Sequence, residues 1–206
     1  MLAHAQPVHL LVFLIGVLLA GSSVGLTGCA PHEPPYALHD ISGLMPQLAF
    51  NLTDQDGRVV NARDYRGDVV LLYFGYTHCP DACPTTLAEL TQAMRRLGAA
   101  SSSVRVLFVS VDPQRDTAAV MKSYVGFFGQ QFVGLRGDDA SLSALAKRYR
   151  VAYHREPPEP DGSYAVDHSS AIFIFDRTGR VRLIGGSGNT PEQIAKDLRR
   201  LLSESA

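Results

Sequence analysis

Val69-Val-Leu-Leu-Tyr-Phe-Gly-Tyr-Thr-His-Cys-Pro-Asp-Ala-Cys-Pro-Thr85 decides how the chain folds. Its first six residues are an unbroken apolar run, as expected of a strand covered on both faces. Its second half carries Cys79 and Cys83, each followed directly by a proline. Beyond it Leu87, Leu90, Met94 and Leu97 recur on one helical face, and Gly98 marks the stop. A residue before proline avoids helical geometry, so Pro84 is expected at the first helical position and Cys83 just ahead of it. There the partial positive charge of the helix N-terminus favours a thiolate. Two thiolates at a strand-to-helix junction form a disulfide or hold a soft metal ion, and this stretch by itself leaves both open.

Outward from this unit, residues 48–52 and 58–60 flank Asp56-Gly57 and read as a hairpin. Residues 104–111 form a second strong strand. Residues 112–117 follow as a loop into a helix, capped by Asp116 or Thr117 and ending on Tyr124, Phe127 and Phe128. A short strand is expected at 132–134, then a helix over 139–149 with Leu142, Leu145, Ala146 and Tyr149 inward. Residues 151–154 begin another strand, and the proline-rich run 155–163 is an exposed excursion. Strands at 171–175 and 180–184 surround a turn, and a last helix over 190–203 buries Ile194, Leu198 and Leu201. Strands alternating with helices argue for an α/β layer structure. In such sheets the working site collects at the carboxyl ends of the central strands, where the cysteine loop falls.

The 206 residues are 46% hydrophobic and 19% charged, with a net charge of −1, enough for one core and no electrostatic case for nucleic acid. Residues 1–29 contain no Lys, Arg, Asp or Glu, and residues 10–20 are an apolar run of signal-peptide length. Leu26-Thr27-Gly28-Cys29 resembles the lipobox of bacterial lipoproteins. Residues 1–28 are therefore expected to be a lipoprotein-type signal peptide, with a retained membrane anchor as the alternative. Cys29 would carry the lipid, residues 29–45 form a proline-rich tether, and residues 46–206 form the domain, held at the membrane on its periplasmic or extracytoplasmic side. This leaves Cys79 and Cys83 as a single close pair. Such a pair closes too small a loop to staple a fold, so chemistry explains it better.

With these motifs in view, the chain resembles the Sco/SenC family. The resemblance is carried by residues 73–85, by Val109-Ser-Val-Asp-Pro-Gln-Arg-Asp-Thr117 and by Val166-Asp-His-Ser169, and it covers about residues 46 to 202. It implies a thioredoxin-like fold, with a central mixed sheet flanked by helices and an N-terminal hairpin. It also implies a membrane-tethered copper protein associated with assembly of cytochrome c oxidase, its metal ligands being Cys79, Cys83 and His168. The function implied is a metallochaperone carrying one copper ion, Cu(I) or Cu(II), to the copper-accepting subunit of the oxidase. Two thiolates and an imidazole suit Cu(I), whereas Cu(II) asks for a further ligand. Zn²⁺ accepts the same set but lacks a clear fourth protein ligand. Chain spacing alone does not bring His168 to the cysteines.

Two other readings share these residues. In one, Cys79 and Cys83 are the redox pair of a thiol–disulfide reductase that keeps the acceptor's cysteines reduced. In the other, the site is a copper sensor. Around the pair, His78 is expected to point away from the cysteines and His154 to be solvated. Asp81 either tunes the charge of the site or satisfies turn amides. Asp112 and Asp116 are explained as loop and helix caps, and Asp167 is the candidate to orient His168 from behind.

Overall fold

The computed structural model describes residues 35–204, so residues 1–28, Cys29 and the first part of the tether lie outside the described residues. In chain order the first strands are β1 (His39–Asp40), β2 (Asn51–Asp54) and β3 (Val59–Asn61), followed by a short 3-10 helix at Ala62–Tyr65. Then come β4 (Val69–Gly75), α1 (Ala82–Leu97), β5 (Val104–Ser110), α2 (Ala118–Phe128) and β6 (Phe132–Arg136). The chain continues through α3 (Asp139–Arg148), β7 (Tyr153–Arg155) and β8 (Val166–His168). It finishes with β9 (Ile172–Phe175), β10 (Val181–Gly185) and α4 (Pro191–Ser203).

β4 is buried at every residue because it takes the middle of the main sheet, whose order is β1-β10-β9-β4-β5-β6-β2-β3. β4, β5 and β6 run parallel, and the remaining pairs are antiparallel, so the sheet is mixed as expected. Alternation along β4 divides its side chains between two cores. Val69, Leu71 and Tyr73 meet the apolar faces of α1, α2 and α4, while Val70, Leu72 and Phe74 meet α3 and the segment around Leu48 and Leu52. The turn residue Gly57 has φ +80°, which glycine adopts freely, and it closes the β2–β3 hairpin.

Three features differ from the sequence reading. α1 begins at Ala82, with Asp81 before it, so Cys83 and Pro84 lie inside the first turn. The amides of a first turn have no intrahelical partners, so the N–H that Pro84 lacks is not missed there. β7 and β8 pair only with each other, as a two-stranded sheet apart from the main one, and the exposed excursion joins them. The packed body also starts at Tyr36, before the expected boundary at residue 46. β1 pairs with β10, and Leu38 enters the core at 4% exposure.

Candidate metal centre

The strand-to-helix junction is fixed before any metal is considered. After Gly75 the chain turns so that the Cys79 amide donates to the Tyr76 carbonyl at 3.2 Å. The fully buried Asp116 carboxylate accepts from the Thr77 amide at 3.1 Å, from Thr77 Oγ1 at 2.6 Å and from Ser110 Oγ at 2.6 Å. It ties the loop after β4 to the end of β5. Asp116 is therefore not the cap of α2; Thr117 is, accepting from the Val120 amide. The loop that carries Cys79 and leads into the helix carrying Cys83 thus has little freedom.

Three donor atoms converge here. The ligand atoms of Cys79, Cys83 and His168 all lie within 4.8 Å of one another, and Cys83 Sγ is 3.3 Å from His168 Nε2. The Cys83 amide, at the start of α1, is 3.4 Å from Cys79 Sγ, so the helix end is aimed at Cys79. His168 Nδ1 donates to the Ser169 carbonyl at 3.1 Å. A carbonyl only accepts, so the proton sits on Nδ1 and the Nε2 lone pair faces the sulfurs. Tyr73 and Tyr76 stand edge-on to the imidazole, at 6.1 and 5.8 Å between ring centres, and wall the site. Tyr73 Oη donates to Cys83 Sγ at 3.7 Å.

The expectation that a helix N-terminus favours a Cys83 thiolate is overturned. Burial pushes the Cys83 thiol up to about 12, because Cys83 is wholly enclosed while Cys79 is half-buried. Desolvation outweighs the helix end at this sulfur. The same burial raises the hydroxyls of Tyr73 and Tyr124 above their ordinary range.

Among the other residues singled out by sequence, His78 is exposed with Nδ1 beside Thr77 Oγ1, and it stays outside the cluster. His154 is exposed and faces Asp167 across β7 and β8. Asp167 is exposed as well, so the Ser169 carbonyl, not Asp167, occupies the position behind His168. Asp81 makes no capping bond and accepts from Thr85 Oγ1 at 3.3 Å. Asp112 is fully buried, more than a loop cap requires. Tyr73 was missed at the sequence level, although period-two alternation along β4 places it on the α1 face with Cys83. A carbonyl such as that of Ser169 leaves no residue-type signal.

A metal held at about 2.3 Å from sulfur and 2.0 Å from nitrogen needs donors roughly 3.5–4 Å apart in a trigonal set. The three donors, with Cys83 Sγ 3.3 Å from His168 Nε2 and all within 4.8 Å of one another, are close enough for one ion to draw to that spacing, and among the described residues no fourth Cys, His, Asp or Glu joins them. The arrangement suits a soft ion of low coordination number, not a closed tetrahedral zinc site.

The family model described as SCO1/SenC matches residues 44–203. The mitochondrial protein SCO2 homolog of Bos taurus is 42% identical over 153 residues, which cover 73% of this chain and 58% of that protein. The chain thus matches little more than half the length of this curated relative. The structure of Bradyrhizobium japonicum ScoI with copper bound is similar at TM-score 0.70 and 42% identity, covering 76% of this chain and all but 1% of the other, at 99%. Arabidopsis thaliana ScoI with copper bound is similar at TM-score 0.70 and 31% identity, covering 76% of this chain and 97% of that one.

Proposed function

The chain belongs to the SCO1/SenC family, and we propose that it is a copper metallochaperone that holds one ion between Cys79, Cys83 and His168. The observation that carries this reading is the convergence of two sulfurs and one imidazole nitrogen within 4.8 Å. The two similar ScoI structures, both with copper bound, support it. Two thiolates and an imidazole favour Cu(I). Cys83 is a thiol at neutral pH, so it gives up its proton when the ion binds. Cys79, half-buried, is the ligand an incoming thiolate reaches first. Donors of the acceptor replace Cys79 first, then Cys83, which takes back a proton from solvent, and finally His168, so that all three bonds to the ion are exchanged before it leaves.

The acceptor in this reading is the dinuclear copper centre of a cytochrome c oxidase subunit. The uncharged stretch over residues 1–29, ending at Cys29, supports a membrane tether with the domain outside the cytoplasm. A second reading rests on the unequal exposure of the two cysteines. A half-buried Cys79 beside an enclosed Cys83 has the layout of an attacking and a resolving thiol. Cys79 would form a mixed disulfide with an oxidised target, and Cys83 would then release the target as a dithiol.

Anaerobic titration of the reduced protein with Cu(I) against a chromophoric chelator separates the two. The expected result is one tightly held ion per chain, lost in Cys79→Ser and Cys83→Ser and weakened at least tenfold in His168→Ala. A protein that ignores copper, yet reduces disulfides equally well with and without His168, overturns the chaperone reading in favour of the reductase.

A further inference from the structure

His168 reaches the cysteines on a small hairpin. β7 and β8 are three residues each and pair with nothing else among the described residues. A lone two-stranded hairpin is marginal in water, so something besides its ladder must hold it in place. Tyr153 lies directly opposite His168 in the register, and any shift of the hairpin therefore moves the imidazole.

Val166 of β8 is buried in the core, with Tyr153 and Tyr164 packed against the same cluster, and a buried carboxylate on the scaffold adds a directional polar tie. Asp112, just past β5 and fully buried, accepts from Tyr164 Oη at 2.9 Å and from Arg155 Nη2 at 3.3 Å, and it pairs with Arg115. Arg155 ends β7, and Tyr164 lies two residues before β8. Arg115 Nη1 donates to the Tyr164 carbonyl at 2.9 Å. Its guanidinium lies 3.5 Å from the centre of the Tyr164 ring, and that of Arg155 lies 4.6 Å from it. Arg115 also lies 5.6 Å from the Tyr76 ring, whose edge contact with His168 closes the circuit.

We propose that Tyr164 and Arg155 are positioning residues for His168, clasping its hairpin to Asp112 so that the imidazole faces a cysteine pair built on a different part of the fold. The inference rests on the reading of His168 as a copper ligand. Charge-assisted bonds to a buried carboxylate are strong and directional, which suits them to fixing a hairpin. Neither residue touches Cys79 or Cys83 in any hydrogen bond or ring contact described, so the clasp acts on the third ligand alone.

The test is a double-mutant cycle. Tyr164→Phe removes one hydroxyl and keeps the ring, and Arg155→Ala removes one arm of the clasp. Each is made in the wild type and in His168→Ala, and Cu(I) affinity is read by competition. Amide hydrogen exchange is read on the metal-free proteins. The expected outcome is about a tenfold loss of affinity in the wild-type background and no further loss in His168→Ala. Exchange at residues 165–169 should quicken while β4 and β5 stay protected. Equal losses in both backgrounds, or unchanged affinity and exchange, overturn the clasp. If the wild type binds no copper, the copper reading fails by itself, and exchange at residues 165–169 alone decides whether the clasp holds the hairpin.

Discussion

A β-carbon added at Gly75 would stand 2.6 Å from Phe108 Cε2 and 2.7 Å from Cys83 Sγ. Neither neighbour can retreat, since Phe108 and Cys83 are both fully buried. Gly75→Ala should therefore cost about 1–3 kcal/mol of stability. It should also weaken copper binding by displacing the Cys83 sulfur, and urea unfolding beside a Cu(I) titration reads both effects. Cys83 itself sets a pH dependence. Its folded value, about 12, lies above its ordinary 9.0. The stability this thiol contributes is complete below pH 9 and is lost as pH rises toward 12. Tyr73 and Tyr124 act in the same direction, so the comparison to make is with Cys83→Ala. The stability gap between wild type and that variant should narrow over this window, and a constant gap would contradict the burial argument. Copper uptake follows the opposite trend. Displacing the Cys83 proton should raise apparent Cu(I) affinity by about tenfold per pH unit around neutrality.

Among the elements, β4 and α1 were legible because their patterns are long: six apolar residues in a row, then Leu87, Leu90, Met94 and Leu97 on one face. β1, β7 and β8 were not recognised as they pair, because two or three residues carry no periodicity. The start of α1 was misplaced because a local rule about residues before proline gave way to the freedom of a first turn. The two cysteines announced themselves by type and spacing. The contact of His168 with Cys83 did not, being made across 85 positions of chain by packing alone. The loop between β4 and α1 offers its own test. An amide in place of the Asp116 carboxylate has one oxygen for a site that now receives donors from Thr77 and Ser110 on two. Asp116→Asn should lose about 1–3 kcal/mol by urea unfolding. It should also speed hydrogen exchange at Thr77–Cys79, and exchange unchanged there would mean the loop is held by something else.

At the scale of the whole molecule, the stretch read as tether is partly structural. Asp197 on α4 is 1% exposed and accepts from the amides of Ala37 and Leu38, at 3.1 and 2.8 Å. A chain starting at Pro46 would take both donors from that carboxylate and strip Leu38 from the core. It should be about 3–5 kcal/mol less stable than one starting at Tyr36, as calorimetry can show. Equal stability of the two would mean that β1 only decorates the edge. The separation of Cys83 from His168 bears on polymer entropy as well as on coordination. An ion bridging them ties a ring of chain 85 residues around. A covalent tie across such a ring restricts the unfolded state by about 4.5 kcal/mol, and a metal tie acts in the same sense for as long as it lasts. On the proposed reading, surrendering the ion cuts the ring, so the protein would be most easily unravelled, by heat or by a protease, once the ion has gone.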